Sequence, residues 1–199
     1  MFSTRIIGYI GLSIIIVSYA CIFIAILNAP WFSWTSNALS DLGVHEGSAL
    51  IFNGGLIASG ILLTIFAFLI FRFWINIVEK IGGVLIFLSG IALIGIGVFT
   101  EEIGDVHMFF AIMFFVLISF SLMVLGFGFI LNKRDKKLGY GGIICGLFNI
   151  FIWAFPWGSI GIVGVAIPEF LSSLSGVLWI AMFSHKVIRL NNTFRKRSD

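Results

Sequence analysis

Six stretches of this 199-residue chain are apolar over the length that a lipid-crossing helix needs: 6–27, 47–71, 81–99, 106–131, 138–155 and 168–186. About 20 residues rising 1.5 Å each cover the ~30 Å of hydrocarbon in a bilayer. Inside hydrocarbon every backbone N–H and C=O must find a partner within the protein, which leaves only helices and closed barrels. A barrel alternates apolar and polar residues in short segments, whereas these runs are continuous. The sequence therefore predicts an all-α polytopic membrane protein, a bundle of six transmembrane helices forming one domain over 1–199. Composition agrees, with 60% hydrophobic and 11% charged residues against roughly a quarter charged in soluble domains. Arg5 before the first run resembles the start of a signal peptide, but the run is longer than a signal's apolar region and is expected to stay as the first helix.

The charges assign sides. With six spans, the amino terminus, the second and fourth links and the tail share one face. All 12 Lys and Arg fall there, from Arg5, Arg72 and Lys80 through the cluster at 133–137 to Lys186, Arg189 and the tail. Positive residues stay on the cytoplasmic side, so both termini are expected in the cytoplasm of a cell-membrane protein. The same placement turns the net charge of +3 into a topology signal and a contact to anionic lipid, with the bilayer as partner and no nucleic acid. Trp31 and Trp34 suit the headgroup boundary. Cys21 and Cys145 each lie inside an apolar run and read as small buried hydrophobes. Gly142 with Gly146, and Gly55 with Ser59, have the small-xxx-small spacing of close helix packing, within the chain or at a homodimer seam. The glycine-rich segment 159–167 is expected at the interface or dipping back in, with Pro168 opening the sixth helix. Pro30-Trp31 followed by Leu39-Ser40-Asp41-Leu42, against Pro156-Trp157 followed by Leu171-Ser172-Ser173-Leu174, suggests related hairpins.

The opposite face gathers Asp41, His45, Glu46, Glu101, Glu102, Asp105, His107 and Glu169. One account is structural: each stands at the start of an inward-running helix, where carboxylates are stabilised by unpaired N–H groups and the macrodipole. The other is chemical, because carboxylates and imidazoles on one rim are the ligand set of zinc or a similar divalent ion. Asp41 and His45, four apart, would share a helix face; with Glu101 and His107 they form the candidate metal set. Such an ion would activate water against a lipid ester, amide or phosphate, as in a metal-dependent membrane hydrolase. The same groups could instead relay protons. A small-solute transporter is a further reading, although no acid or base lies at mid-depth, where ion-coupled carriers place one. Asn53 and Asn149 read as hydrogen-bond links between helices, and haem is disfavoured because His45 and His107 both stand at the rim and not on facing spans. A structural or partner-binding protein remains the plain alternative. The leading expectation is an outer rim that binds or processes a lipid or small molecule.

The links carry a resemblance. Asn37-Ala38-Leu39-Ser40-Asp41-Leu42-Gly43 followed by Phe52-Asn53-Gly54-Gly55, then Gly97-Val98-Phe99-Thr100-Glu101 followed by His107, resembles a prokaryotic six-span membrane-protein family catalogued as domain of unknown function 998. Its pattern reads serine-aspartate-leucine-glycine at the first outer link, and glycine-x-phenylalanine-proline-glutamate then histidine at the second. Thr100 stands where proline is usual. The resemblance brings no activity, but it implies that Asp41, Glu101 and His107 stand out from their acidic neighbours as candidate catalytic residues.

Overall fold

The computed structural model describes residues 4–74, 76–133 and 135–195, with side chains described except at 4, 72 and 190–195. Six helices follow one another: α1 (Thr4–Leu27), α2 (Ala49–Ile70), α3 (Ile77–Val98), α4 (Asp105–Leu131), α5 (Lys136–Ala154) and α6 (Ala166–Arg195). All six are long and apolar enough to cross a membrane, and no strand occurs among the described residues. Large apolar side chains such as Ile16, Leu50, Phe68 and Ile144 cover their outward faces, which suits lipid as the surrounding solvent.

Helix starts shift where local chemistry overrides hydropathy. Gly47 has φ +92, outside the helical region, so α2 begins at Ala49. Conversely α3 begins earlier than the apolar run, because Asn76 caps it by accepting a hydrogen bond from the Glu79 N–H (2.7 Å). Glu79 is buried, and its Oε1 accepts from Asn132 Nδ2 (3.1 Å), which ties the start of α3 to the end of α4. Pro168 is the third residue of α6 rather than the first, still within the first turn, where no intrahelical N–H partner is lost.

Each helix packs antiparallel on its chain neighbour, and α1 against α6 closes the ring. A Cβ on Gly60 would lie 2.8 Å from the Gly90 carbonyl, and one on Gly142 would lie 2.6 Å from the Leu122 carbonyl. Absent side chains thus let α2 meet α3, and α5 meet α4, backbone to backbone. On the closing seam a Cβ on Gly8 would lie 2.9 Å from the Ser184 carbonyl. Toward the end carrying the Lys and Arg, an aromatic plug fills the ring: Phe129 meets Trp74 (5.8 Å between centroids) and Trp179 (6.4 Å), and Phe183 lies against Phe66 (5.9 Å). The Trp179 Nε1–H is satisfied by the Leu138 carbonyl (3.0 Å). Cys21 and Cys145 are both free.

The segment between α5 and α6 neither spans nor dips inward. A short turn, Trp157–Ile160, is mostly exposed, and the chain then lies against the first outer link. Val163 and Gly164 donate to the Thr35 carbonyl and Ala166 donates to that of Asn37 (each 2.9 Å). At Gly164 a Cβ would strike the Ser36 and Asn37 backbone, so only glycine allows this approach. The two links in which the sequence shows a faint repeat are thereby joined over one end of the bundle.

Candidate functional site

The end away from the basic residues is hollow where the other is plugged. A cavity of about 100 Å³ lies inside the ring, lined from α1, α2, α3, α4 and α6. It runs from His107 to Ile118 along α4 and from Glu169 to Ile180 along α6, a depth of about 16 Å at 1.5 Å per residue. Its wall is almost wholly carbon, including Ile22, Phe52, Leu56, Leu93, Phe114 and Val177. Polar groups are confined to a few places, with Ser40, His107 and Glu169 around the mouth. Asn53 is not in this wall; its Nδ2 instead donates to the Gly43 carbonyl (2.7 Å), binding α2 to the link that precedes it.

Two short turns build the mouth. In the first, Ser40–Gly43 forms a 3-10 turn that Asp41 helps to fold: its Oδ2 accepts from Asn37 Nδ2 (2.7 Å) and from the Ala38 N–H (3.0 Å). The adjoining Leu39 N–H donates to Glu169 Oε2 (2.6 Å), so the first outer link is latched to the opening turn of α6. The second turn, Glu101–Ile103, touches the first. Here the Glu101 carboxyl is held above its ordinary pKa, first by burial, then by its hydrogen bond to Asp41 and that residue's charge; the Ser40 hydroxyl and His107 ease the shift. Glu101 Oε2 is buried with no donor facing it, so a proton on this carboxyl satisfies both acids at once.

His107 completes the group. It lies one turn into α4, is buried, and its Nδ1 is 2.8 Å from the Phe99 carbonyl. A carbonyl only accepts, so Nδ1 carries the hydrogen and donates it to Phe99. Asp105, two positions earlier, falls on the other side of the helix and is exposed. His45 also leaves the group. The Ser40–Gly43 turn does not continue as α-helix, so the four-residue spacing from Asp41 gives no shared face, and His45 packs outside on Trp31 (4.0 Å between centroids). Trp34 is half-buried and packs edge-on against Phe170 (5.2 Å between centroids). Glu46 and Glu102 are exposed.

Asp41, Glu101 and His107 are therefore neighbours, joined by Ser40 and Glu169, while His45 stands apart. Among the described residues no three His, Cys, Asp or Glu side chains are grouped so as to hold a metal ion. Sequence reasoning gave no sign of the cavity, of the Tyr19–Ser173 hydroxyl pair between α1 and α6 (3.0 Å), or of Ser59, a fully buried side chain in the cavity wall whose hydroxyl has no partner.

A family model described as "Protein of unknown function (DUF998)" matches residues 14–186. The chain belongs to the DUF998 family. No curated protein and no solved structure matches it. The match takes in both turns of the mouth. At the position where the resemblance noted above would place proline, Thr100 has φ −63 and ψ 164, preceded by Phe99 at φ −97 and ψ 89. The Thr100 φ is the one a proline ring fixes, and Phe99 lies outside the α region that a following proline disfavours, so this DUF998 chain has room in the turn for the proline it lacks.

Proposed function

We propose that this protein binds an amphiphile, with the hydrocarbon chain in the carbon-lined cavity and the polar head among Asp41, Glu101, His107 and Glu169. The observation that carries the reading is the juxtaposition of the two: hydrogen-bonding side chains ring one end of a deep apolar cavity. Ligand sites have this make-up, mostly apolar walls with a few polar groups that fix orientation. A polar path for a small solute would need hydrophilic walls at mid-depth, and here those walls are carbon. In this reading the chain lies in the cell membrane with both termini cytoplasmic, so the mouth faces the outer leaflet.

The test is photo-crosslinking of the purified protein, in phosphatidylcholine nanodiscs, with a dodecyl chain carrying a diazirine. Labelling is expected on cavity residues such as Leu56, Phe114 and Val177. It is expected to fall several-fold in Gly176→Leu, because a Cβ there meets Ile118 at 3.4 Å and the rest of the side chain extends into the cavity. Labelling confined to outward faces such as Phe68 and Ile144, or unchanged by the substitution, would sink the reading.

A further inference from the structure

We propose that the seam between α1 and α6 is a lateral portal by which the amphiphile passes between bilayer and cavity, held shut by the Tyr19–Ser173 hydroxyl pair. The inference rests on the amphiphile reading and goes on to say how that site is filled. Its first ground is the packing of the seams around the cavity. In the half of the bundle that holds the cavity, three seams close on glycine. A Cβ on Gly55 of α2 would strike Cys21 of α1, and one on Gly95 of α3 would strike Phe110 of α4. One on Gly97 of α3 would lie 2.8 Å from the Asn53 carbonyl of α2. The α1–α6 seam differs. Its glycine contacts, Gly8 and Gly11 against Ser184, both lie in the basic half, while Gly176 of α6 faces Ile118 of α4 and not α1. Two helices drawn together by small residues at one end and held apart by large ones at the other diverge, and the cavity lies in that wedge.

What fills the wedge is the second ground. The Tyr19 hydroxyl reaches from α1 to Ser173 Oγ on α6 (3.0 Å), and Ser173 in turn donates to the Phe170 carbonyl (2.8 Å). The Phe170 ring closes edge-on against Tyr19 (5.4 Å) and Phe23 (6.0 Å between centroids). Tyr19 and Ser173 both belong to the cavity wall, and Phe23, beside Tyr19, is 46% exposed on the outward face. A single layer of side chains thus separates cavity from lipid here. Side chains swing aside where glycine-packed backbones cannot. The third ground is the alternative route, over the mouth, which is strapped by backbone. Val163 and Gly164 donate to the Thr35 carbonyl, Ala166 donates to that of Asn37, and the Leu39 N–H is held by Glu169. A hydrocarbon chain passing over these polar turns would expose each of its methylenes to water. Through the seam it stays in an apolar medium throughout.

The experiment times the exit of the dodecyl diazirine probe. Protein in phosphatidylcholine nanodiscs is loaded with the probe, mixed with excess phosphatidylcholine vesicles and flashed with light after increasing delays. The fading of label on Leu56 and Phe114 gives the exit rate. Tyr19→Phe and Ser173→Ala each remove the hydroxyl pair and keep the aromatic rings. Each is expected to raise the exit rate about fivefold, the scale of one neutral hydrogen bond. Both break the same bond, so the double variant is expected to be no faster than either single one. The probe concentration for half-maximal labelling is expected to stay at the wild-type value, since a portal speeds entry and exit alike. If that concentration rises in step with the exit rate, the pair holds the ligand instead of gating it, and the portal is overturned. An exit rate unchanged in both single variants, or gains that multiply in the double one, also overturns it. In each of these cases the amphiphile reading stands on its cavity labelling. If the wild-type chain labels on no cavity residue, both readings fall.

Discussion

Glu101 is the residue whose chemistry depends most on its setting. Burial and the neighbouring Asp41 both raise its pKa, against smaller opposing effects of Ser40 and His107. A carboxyl whose folded value lies above its unfolded one favours folding most when protonated. Its contribution is therefore complete below the ordinary carboxyl range and is lost as the pH rises through the raised folded value. Glutamine mimics the protonated form, since its amide can donate to Asp41 as the carboxyl does. Glu101→Gln is accordingly expected to melt at or above the wild-type temperature at about pH 7, and the advantage should shrink toward about pH 4, where the native carboxyl is itself protonated. Melting curves of both proteins at the two pH values check this. A wild type that gains on the variant as the pH rises would contradict the shared proton.

The helices hold together through missing side chains as much as through present ones. A Cβ on Gly126 would lie 2.5 Å from the Gly139 carbonyl and 2.8 Å from the Ile143 nitrogen, and both obstacles are backbone. Backbone cannot turn aside as a side-chain tip can, so Gly126→Ala must push α5 away from α4. The expected cost is about 1–3 kcal/mol, the usual range for overpacking, read as a lowered unfolding midpoint in detergent. Gly141→Ala is the control, because its Cβ would meet only the end of Met182, at 3.1 Å, and is expected to be nearly neutral. The existence of these helices was legible in the sequence because crossing hydrocarbon demands a length that little else does. Their contacts were less so. Helices apolar on every side carry no polar stripe to say which face turns inward, and the glycine spacings marked close packing without naming the partner helix. The early start of α3 had a local signal in Asn76 and Glu79, three apart, the spacing of a capping box, which the apolar run did not count.

At the scale of the whole molecule, the ring makes the site. Asp41 and Glu169 are far apart in sequence, and they meet because α1 closes on α6 and the link before α2 is latched to the start of α6. The short motifs drew Asp41, Glu101 and His107 together on paper. The cavity beneath them could not be foreseen, since it depends on where an aromatic plug ends and not on any local pattern. The segregation of charge is a whole-molecule property too, and it makes the orientation testable. Lys80, Lys133, Lys136 and Lys137 lie at the end shared by the starts of α3 and α5, while Glu46, Glu102 and Asp105 lie exposed at the other. Because Lys and Arg near span ends are retained on the cytoplasmic side, a cysteine at Glu46 should react with a membrane-impermeant maleimide in intact cells. One at Lys136 should react only after the membrane is opened. Both would be made in a chain with Cys21 and Cys145 changed to Ala, since these are its two native thiols. Labelling in the reverse order would place the mouth in the cytoplasm and take the outer leaflet away from the proposed ligand. Labelling of both sites in intact cells would mean that the chain inserts in two orientations despite its charge.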